Sequence, residues 1–122
     1  MSAAASHALV QSALVGEALD DGPVTVAVTD EHGRYVAVNR YLCELLGYER
    51  EELLGRRFGE LSGLPPEEVT RGYDRTRADG GTYGRLRVRR KDGTPLVLAY
   101  RAKATRVAGM EFLVGVGWLD EG

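Results

Sequence analysis

Apolar residues alternate with polar or small ones at both ends of the region from Val24 to Leu119, and recur at helical spacing between them. Near the start, Val24, Val26 and Val28 alternate with Thr25, Ala27 and Thr29, and the extended run Arg34-Tyr35-Val36-Ala37-Val38 follows. Asp30-Glu31-His32-Gly33 joins them as a hairpin loop, with Asp30 suited to accept backbone N–H groups and Gly33 to take a left-handed angle. Near the end, Leu86 and Val88 alternate with Arg85, Arg87 and Arg89, and Lys91-Asp92-Gly93-Thr94 signals a second hairpin. Leu96, Leu98, Tyr100, Ala102 and Ala104 form the next inward set. After Gly109, the large residues Met110, Phe112, Val114, Val116 and Trp118 share one face, which is assigned inward; Leu113, Gly115, Gly117 and Leu119 then face outward.

Between the two strand groups the period lengthens. Asn39 is placed to cap a helix over 40–46 that Gly47 ends. A second short helix runs over 49–54 to Gly55, without a Ser, Thr or Asp cap, and Phe58 and Leu61 are the next apolar anchors. Pro65-Pro66 opens a third helix that runs to about Ala78, with Val69, Tyr73 and Thr76 inward. Ahead of all this, residues 4–19 read as an amphipathic helix carrying Leu9, Val10, Ala13 and Leu14, stopped by Asp20-Asp21-Gly22-Pro23. The order predicts an α+β domain: a five-stranded antiparallel sheet with short helices on one face. Residues 1–19 form the leading helix and 20–122 the domain.

Composition narrows the classes. A chain of 122 residues, 43% hydrophobic and 28% charged, suits one globular domain with a single core. The net charge of −2 does not point to nucleic acid or membrane. It hides an asymmetry, because 11 of the 16 Lys and Arg lie from Arg71 to Arg106. The single cysteine, Cys43, excludes an internal disulfide and a cysteine cage for zinc, and fits a reducing, cytoplasmic setting. No apolar run approaches the roughly 20 residues of a membrane helix.

The ordered set Gly22 to Asp30, Gly33 to Asn39, Leu45-Leu46-Gly47-Tyr48, Glu51 to Arg56, Lys91-Asp92-Gly93-Thr94 and Trp118-Leu119-Asp120 resembles the PAS domain family over residues 20–120. The segment Gly59 to Pro66 departs from that pattern. The resemblance implies a regulatory sensor of signal transduction that binds a small molecule between sheet and helices, or a ligand-free dimerisation module. The expected pocket residues are Val26, Val28, Leu42, Leu46, Phe58, Leu61, Val69, Tyr73, Leu86, Val88, Leu98, Tyr100, Phe112, Val114 and Val116, with the two tyrosines as polar anchors. A pocket and a filled core both satisfy that pattern. The cofactor stays unassigned. Gly55-Arg56-Arg57-Phe58 lacks the cysteine of photoactive flavin members, and the helix after Pro65 lacks the histidine of haem members; His7 and His32 lie elsewhere.

The resemblance also implies a homodimer. Its expected interface is Leu9, Val10, Ala13 and Leu14 with Leu113, Gly115, Gly117 and Leu119, and an intramolecular lid is the alternative. Arg85, Arg87, Arg89, Arg101 and Lys103 form a cationic stripe suited to an acidic protein partner or to pairing within the chain. Nothing has the spacing of a catalytic triad, a phosphate loop or a metal cluster, so a non-enzyme is expected.

Overall fold

The computed structural model describes residues 3–121, without the side chains of residues 3–9 and of Ser12. The interface expectation at Leu9 therefore lies outside the described residues. The elements are α1 (Ala3–Asp20), β1 (Thr25–Thr29), β2 (Tyr35–Val38), α2 (Arg40–Leu46), α3 (Arg50–Leu53), α4 (Phe58–Ser62), α5 (Pro66–Asp79), β3 (Thr82–Arg89), β4 (Pro95–Val107) and β5 (Met110–Leu119). All five strands form one antiparallel sheet in the order β2-β1-β5-β4-β3. The last strand is central, and the four helices α2–α5 span the gap between its two hairpins. This is the α+β architecture that the sequence predicts.

The boundaries follow local chemistry. Asp30 Oδ1 accepts from the backbone N–H of His32 at 2.9 Å and of Arg34 at 3.0 Å, closing the first hairpin. Asp92 Oδ1 does the same for Thr94 at 2.9 Å in the later one. Gly47 ends α2 at φ 80°. The missing cap of α3 is supplied differently from the expectation. Glu52 Oε1 reaches back to accept from the Glu49 N–H at 3.0 Å, so a glutamate three residues on replaces the short polar cap. The stretch after Arg57 forms α4, a further short helix.

Asn39 holds three elements together. Its Oδ1 accepts from Leu42 N at the start of α2 and from Val26 N in β1, at 3.2 and 3.0 Å. Its Nδ2 donates to Val24 O at 2.9 Å and to Leu19 O, at the end of α1, at 2.6 Å. Asp20 adds to this junction, accepting from the Arg40 N–H and from Arg50 Nη2, both at 2.8 Å.

The closed core lies at one end of the helix layer. Leu42, Cys43 and Leu46 of α2, Leu53 of α3 and Leu61 of α4 pack with Tyr35, Val38, Val88, Leu96 and Leu98 of the sheet. Burial pushes the Cys43 thiol up from its ordinary value, which suits an inert core residue.

The register corrects the faces expected for β1 and β5. Thr25 pairs with Gly117 and Gly117 with Tyr100; Ala27 pairs with Gly115 and Gly115 with Ala102. Paired residues share a face. The face toward the helices therefore carries Thr25, Ala27, Thr29, Leu113, Gly115, Gly117 and Leu119. Val26, Val28, Phe112, Val114, Val116 and Trp118 stand on the outer face. Both sets in β5 are apolar, so alternation alone cannot choose between them, and only the pairing with β1 and β4 decides.

Candidate functional site

Beside the closed core, the sheet and α5 part to leave a half-open groove of about 840 Å³. That lies within the roughly 300–1,000 Å³ typical of small-molecule sites. Its floor is the inner sheet face: Thr25, Ala27 and Thr29 of β1, Leu113, Gly115 and Gly117 of β5, Leu98, Tyr100 and Ala102 of β4, and Leu86 of β3. Leu42, Tyr35, Phe58 and Leu64 also line it, and α5 contributes Val69, Gly72, Tyr73 and Thr76.

Of the expected pocket residues, Leu42, Phe58, Val69, Tyr73, Leu86, Leu98 and Tyr100 come together here. Val116 borders the groove between two lining glycines, while its pairing with Val26 and Arg101 sets its side chain outward. Leu46, Leu61 and Val88 sit in the closed core instead. Val26, Val28, Phe112 and Val114 are on the wrong face of the sheet. Conversely, Leu113, Gly115 and Gly117, expected at a dimer interface, line the groove, and Leu119 packs against the core. Sequence reasoning missed Thr25, Thr29 and Tyr35. The one signal available for the threonines was two polar positions flanking Ala27 in a strand of valines.

Tyr35 is the most perturbed group of the site. Burial pushes its phenol well above 10, because the phenolate would lose its water. The Tyr73 phenol is also raised, first by burial and then by the nearby Glu111 carboxylate. The sign for stability follows from linkage. An unfolded Tyr35 ionises near pH 10 and the folded one does not, so its contribution is complete below pH 10 and is lost as pH rises beyond it. Above pH 10, the wild type is expected to lose up to about 1.4 kcal/mol per pH unit more than a Tyr35→Phe variant. Urea unfolding of both proteins between pH 9 and 11.5 checks this, and parallel slopes would refute it.

The charged residues at the groove, Glu68, Arg71, Arg75 and Asp79, are all exposed on α5. Among the described residues no three of His, Cys, Asp and Glu gather as a metal site. None of the described helices is long and apolar enough to cross a membrane.

On the outer face, Val36, Val116 and Trp118 are exposed, and so are Val10, Leu14, Val15 and Leu19 of α1, Leu14 by 61%. These two apolar surfaces do not cover each other within the chain, so the lid alternative fails for the described side chains. The cationic stripe borders the apolar strip. Arg85 pairs with Asp120 at 2.6 Å, Arg101 lies 5.7 Å over the Tyr83 ring, and Glu111 pairs with Arg77 rather than with the stripe.

The sequence model of the PAS domain matches residues 23–117. The chain belongs to the PAS domain family, whose members serve as signal-sensing modules, and the five-stranded sheet with its short helices has that fold. Among solved structures, the PAS domain of an HTR-like protein from Haloarcula marismortui is similar, at TM-score 0.86 and 20% identity over 94% of this chain and 96% of that one. A PAS domain from a two-component sensor histidine kinase follows, at TM-score 0.78 and 12% identity over 93% and 99%. A domain of the sensory box sensor histidine kinase/response regulator from Geobacter sulfurreducens has TM-score 0.74 and 22% identity over 90% and 96%. No curated protein matches the sequence.

Proposed function

We propose that this chain is a regulatory sensor domain that takes a small, mainly apolar molecule into its groove and signals through pairing of two copies. The observation that carries the reading is the groove of about 840 Å³ beside an otherwise closed core. A concave, mainly apolar groove of this size with a few polar groups on its lining is the form that small-molecule sites take. Similarity to domains of sensor histidine kinases supports the signalling role.

The proposed pairing surface is the outer sheet face with α1. It replaces the sequence-derived set Leu113, Gly115, Gly117 and Leu119 with Val26, Val28, Val114, Val116 and Trp118, and keeps Val10, Ala13 and Leu14. At about 1.5 Å per residue, the 18-residue α1 is long enough to cross a sheet of five strands about 4.8 Å apart. The end of α1 is held at Asn39, which also holds β1 and α2, so a change in the groove has a short path to the helix. The stripe Arg87, Arg89 and Lys103, with Arg85 and Arg101, remains the proposed contact for an acidic protein partner. Catalysis, nucleic acid and membrane form no part of the reading, and the place of action proposed for it is the cytoplasm.

Native mass spectrometry followed by denaturing extraction tests the proposal. A dimer with a stoichiometric extra mass is expected. A dimer without extra mass that takes up no small molecule would favour the second reading, a ligand-free dimerisation module, which the uncovered apolar strip independently supports. In light scattering, the double variant Val116→Arg, Trp118→Arg is expected to give half the wild-type mass with an unchanged circular dichroism spectrum. A mass unchanged from wild type would remove this face from the interface.

A further inference from the structure

Two glycines of the groove have no structural reason to be glycine. Gly115 lies in the middle of β5, has no left-handed φ, and a Cβ built on it meets nothing closer than 3.8 Å. Gly72 lies in the middle of α5, and a Cβ there meets nothing within 4 Å. Glycine weakens the interior of a strand or a helix relative to alanine. Gly117 shows the contrast: a Cβ on it would stand 2.8 Å from Thr25 Oγ1 and 3.0 Å from Ala99 O, so packing demands glycine there. At Gly115 and Gly72, what a side chain would fill is the groove itself.

Three hydroxyls of the groove point the same way independently. Tyr35, Thr25 and Thr29 line the groove and are only 7%, 5% and 7% exposed. None of the three hydroxyls makes a hydrogen bond among the described residues. Among the described residues Arg90 Nε is the one sealed side-chain polar atom without a partner, so these three hydroxyl oxygens are open to the groove and free to bond to a molecule in it. No charged side chain lies on the inner floor, and the charged residues of the wall are exposed. An ion seated deep in the groove would lose its hydration without a counter-charge.

We infer that the groove is built for an uncharged, flat ring molecule, which lies on the bare strip Ala27–Gly115–Ala102 and against Gly72, and bonds through ring or carbonyl acceptors to the hydroxyls of Tyr35, Thr25 and Thr29. The inference deepens the sensor reading and rests on it. The row Ala27, Gly115, Ala102 crosses three adjacent strands with no side chain longer than a methyl, so it offers a level surface to a ring face. Hydroxyls can donate to such acceptors without requiring charge.

The probe is acridone, a neutral tricyclic with one carbonyl acceptor, followed by its own fluorescence. Stoichiometric, saturable binding to the wild type is expected. Gly115→Ile is expected to weaken it at least tenfold with a melting temperature equal to or above wild type, because a strand-favouring side chain enters open space. Tyr35→Phe is expected to weaken it roughly five- to tenfold, the effect of one neutral hydrogen bond. An acridone carboxylate and a saturated tricyclic hydrocarbon are expected to bind at least tenfold more weakly than acridone. The inference is overturned by failure of acridone to saturate, by binding indifferent to Gly115→Ile, by equal affinity for either analogue, or by a Gly115→Ile melting temperature several degrees below wild type. A copurified molecule that is charged or non-planar overturns this inference while leaving the sensor reading in place. Absence of any copurified mass together with no uptake of acridone or either analogue removes both.

Discussion

Asn39→Ala will lower stability by about 3–5 kcal/mol, the largest loss expected from any polar substitution in this domain. The side chain makes four hydrogen bonds, to Val26 N, Leu42 N, Val24 O and Leu19 O, at 2.6–3.2 Å. Asn39 and its bond to Leu42 are buried and its other three bonds are part-buried, so water replaces the lost partners only in part. Each orphaned buried group costs about 1–3 kcal/mol, and the loss of a helix cap alone about 1 kcal/mol. A fall in melting temperature on the order of 10–20 °C follows. Asn39→Asp separates the two halves of the amide. It keeps the acceptor for Val26 and Leu42 but turns an oxygen toward two carbonyls, so it retains the α2 cap and loses the tie to α1. Thermal unfolding of the three proteins tests this. An Asn39→Ala melting temperature within 3 °C of wild type would mean that water or a local shift replaces the network.

Gly33→Ala will be nearly as damaging, for a different reason. Gly33 has φ +77°, and a Cβ on it would lie 2.6 Å from Val69 Cγ1 and 3.0 Å from Phe58 Cε1. Both neighbours are groove residues packed from other elements, and neither can retreat without opening the wall. The left-handed angle costs roughly 1 kcal/mol and the overpacking roughly 1–3 kcal/mol. Gly55→Ala is the matched control, since Gly55 has φ +85° and nothing within 4 Å of a Cβ. It is expected to cost only the conformational part, about 1 kcal/mol. The difference between the two variants in urea unfolding isolates the contact with Val69 and Phe58. Equal losses would show that the hairpin turn shifts freely away from α5.

Much of the fold was legible because turn chemistry is local. Asp30 with Gly33, Gly47 and Asp92 with Gly93 each act within a few residues of their own position, as does Asn39 in capping α2, while its bonds to Leu19, Val24 and Val26 reach across the fold. The cap of α3 was not legible, because Glu52 acts through a backward reach that no single residue announces. In the site, Leu42, Phe58, Val69, Tyr73, Leu86, Leu98 and Tyr100 were found from periodicity, since the larger apolar side chains of their elements recur on one face. Thr25, Thr29 and Tyr35 were not, because the valines of β1 draw the inward assignment to the opposite face and a bulge beside Thr29 breaks the alternation between β1 and β2.

By itself the sequence determined the strands, every helix but α4, their order and the family. The tertiary structure alone decided which face of β1 and β5 meets the helices, and so which residues make the groove and which the outer strip. The physical reason is that a strand apolar on both faces carries no local preference for its orientation. Pairing selects it: a Cβ at Gly117 would press on Thr25 Oγ1 and on Ala99 O, so that row fits only with glycine between them. Whether inward residues close into a core or leave a cavity is likewise a property of how α5 lies on the sheet, and no periodicity along one chain encodes a distance between two elements.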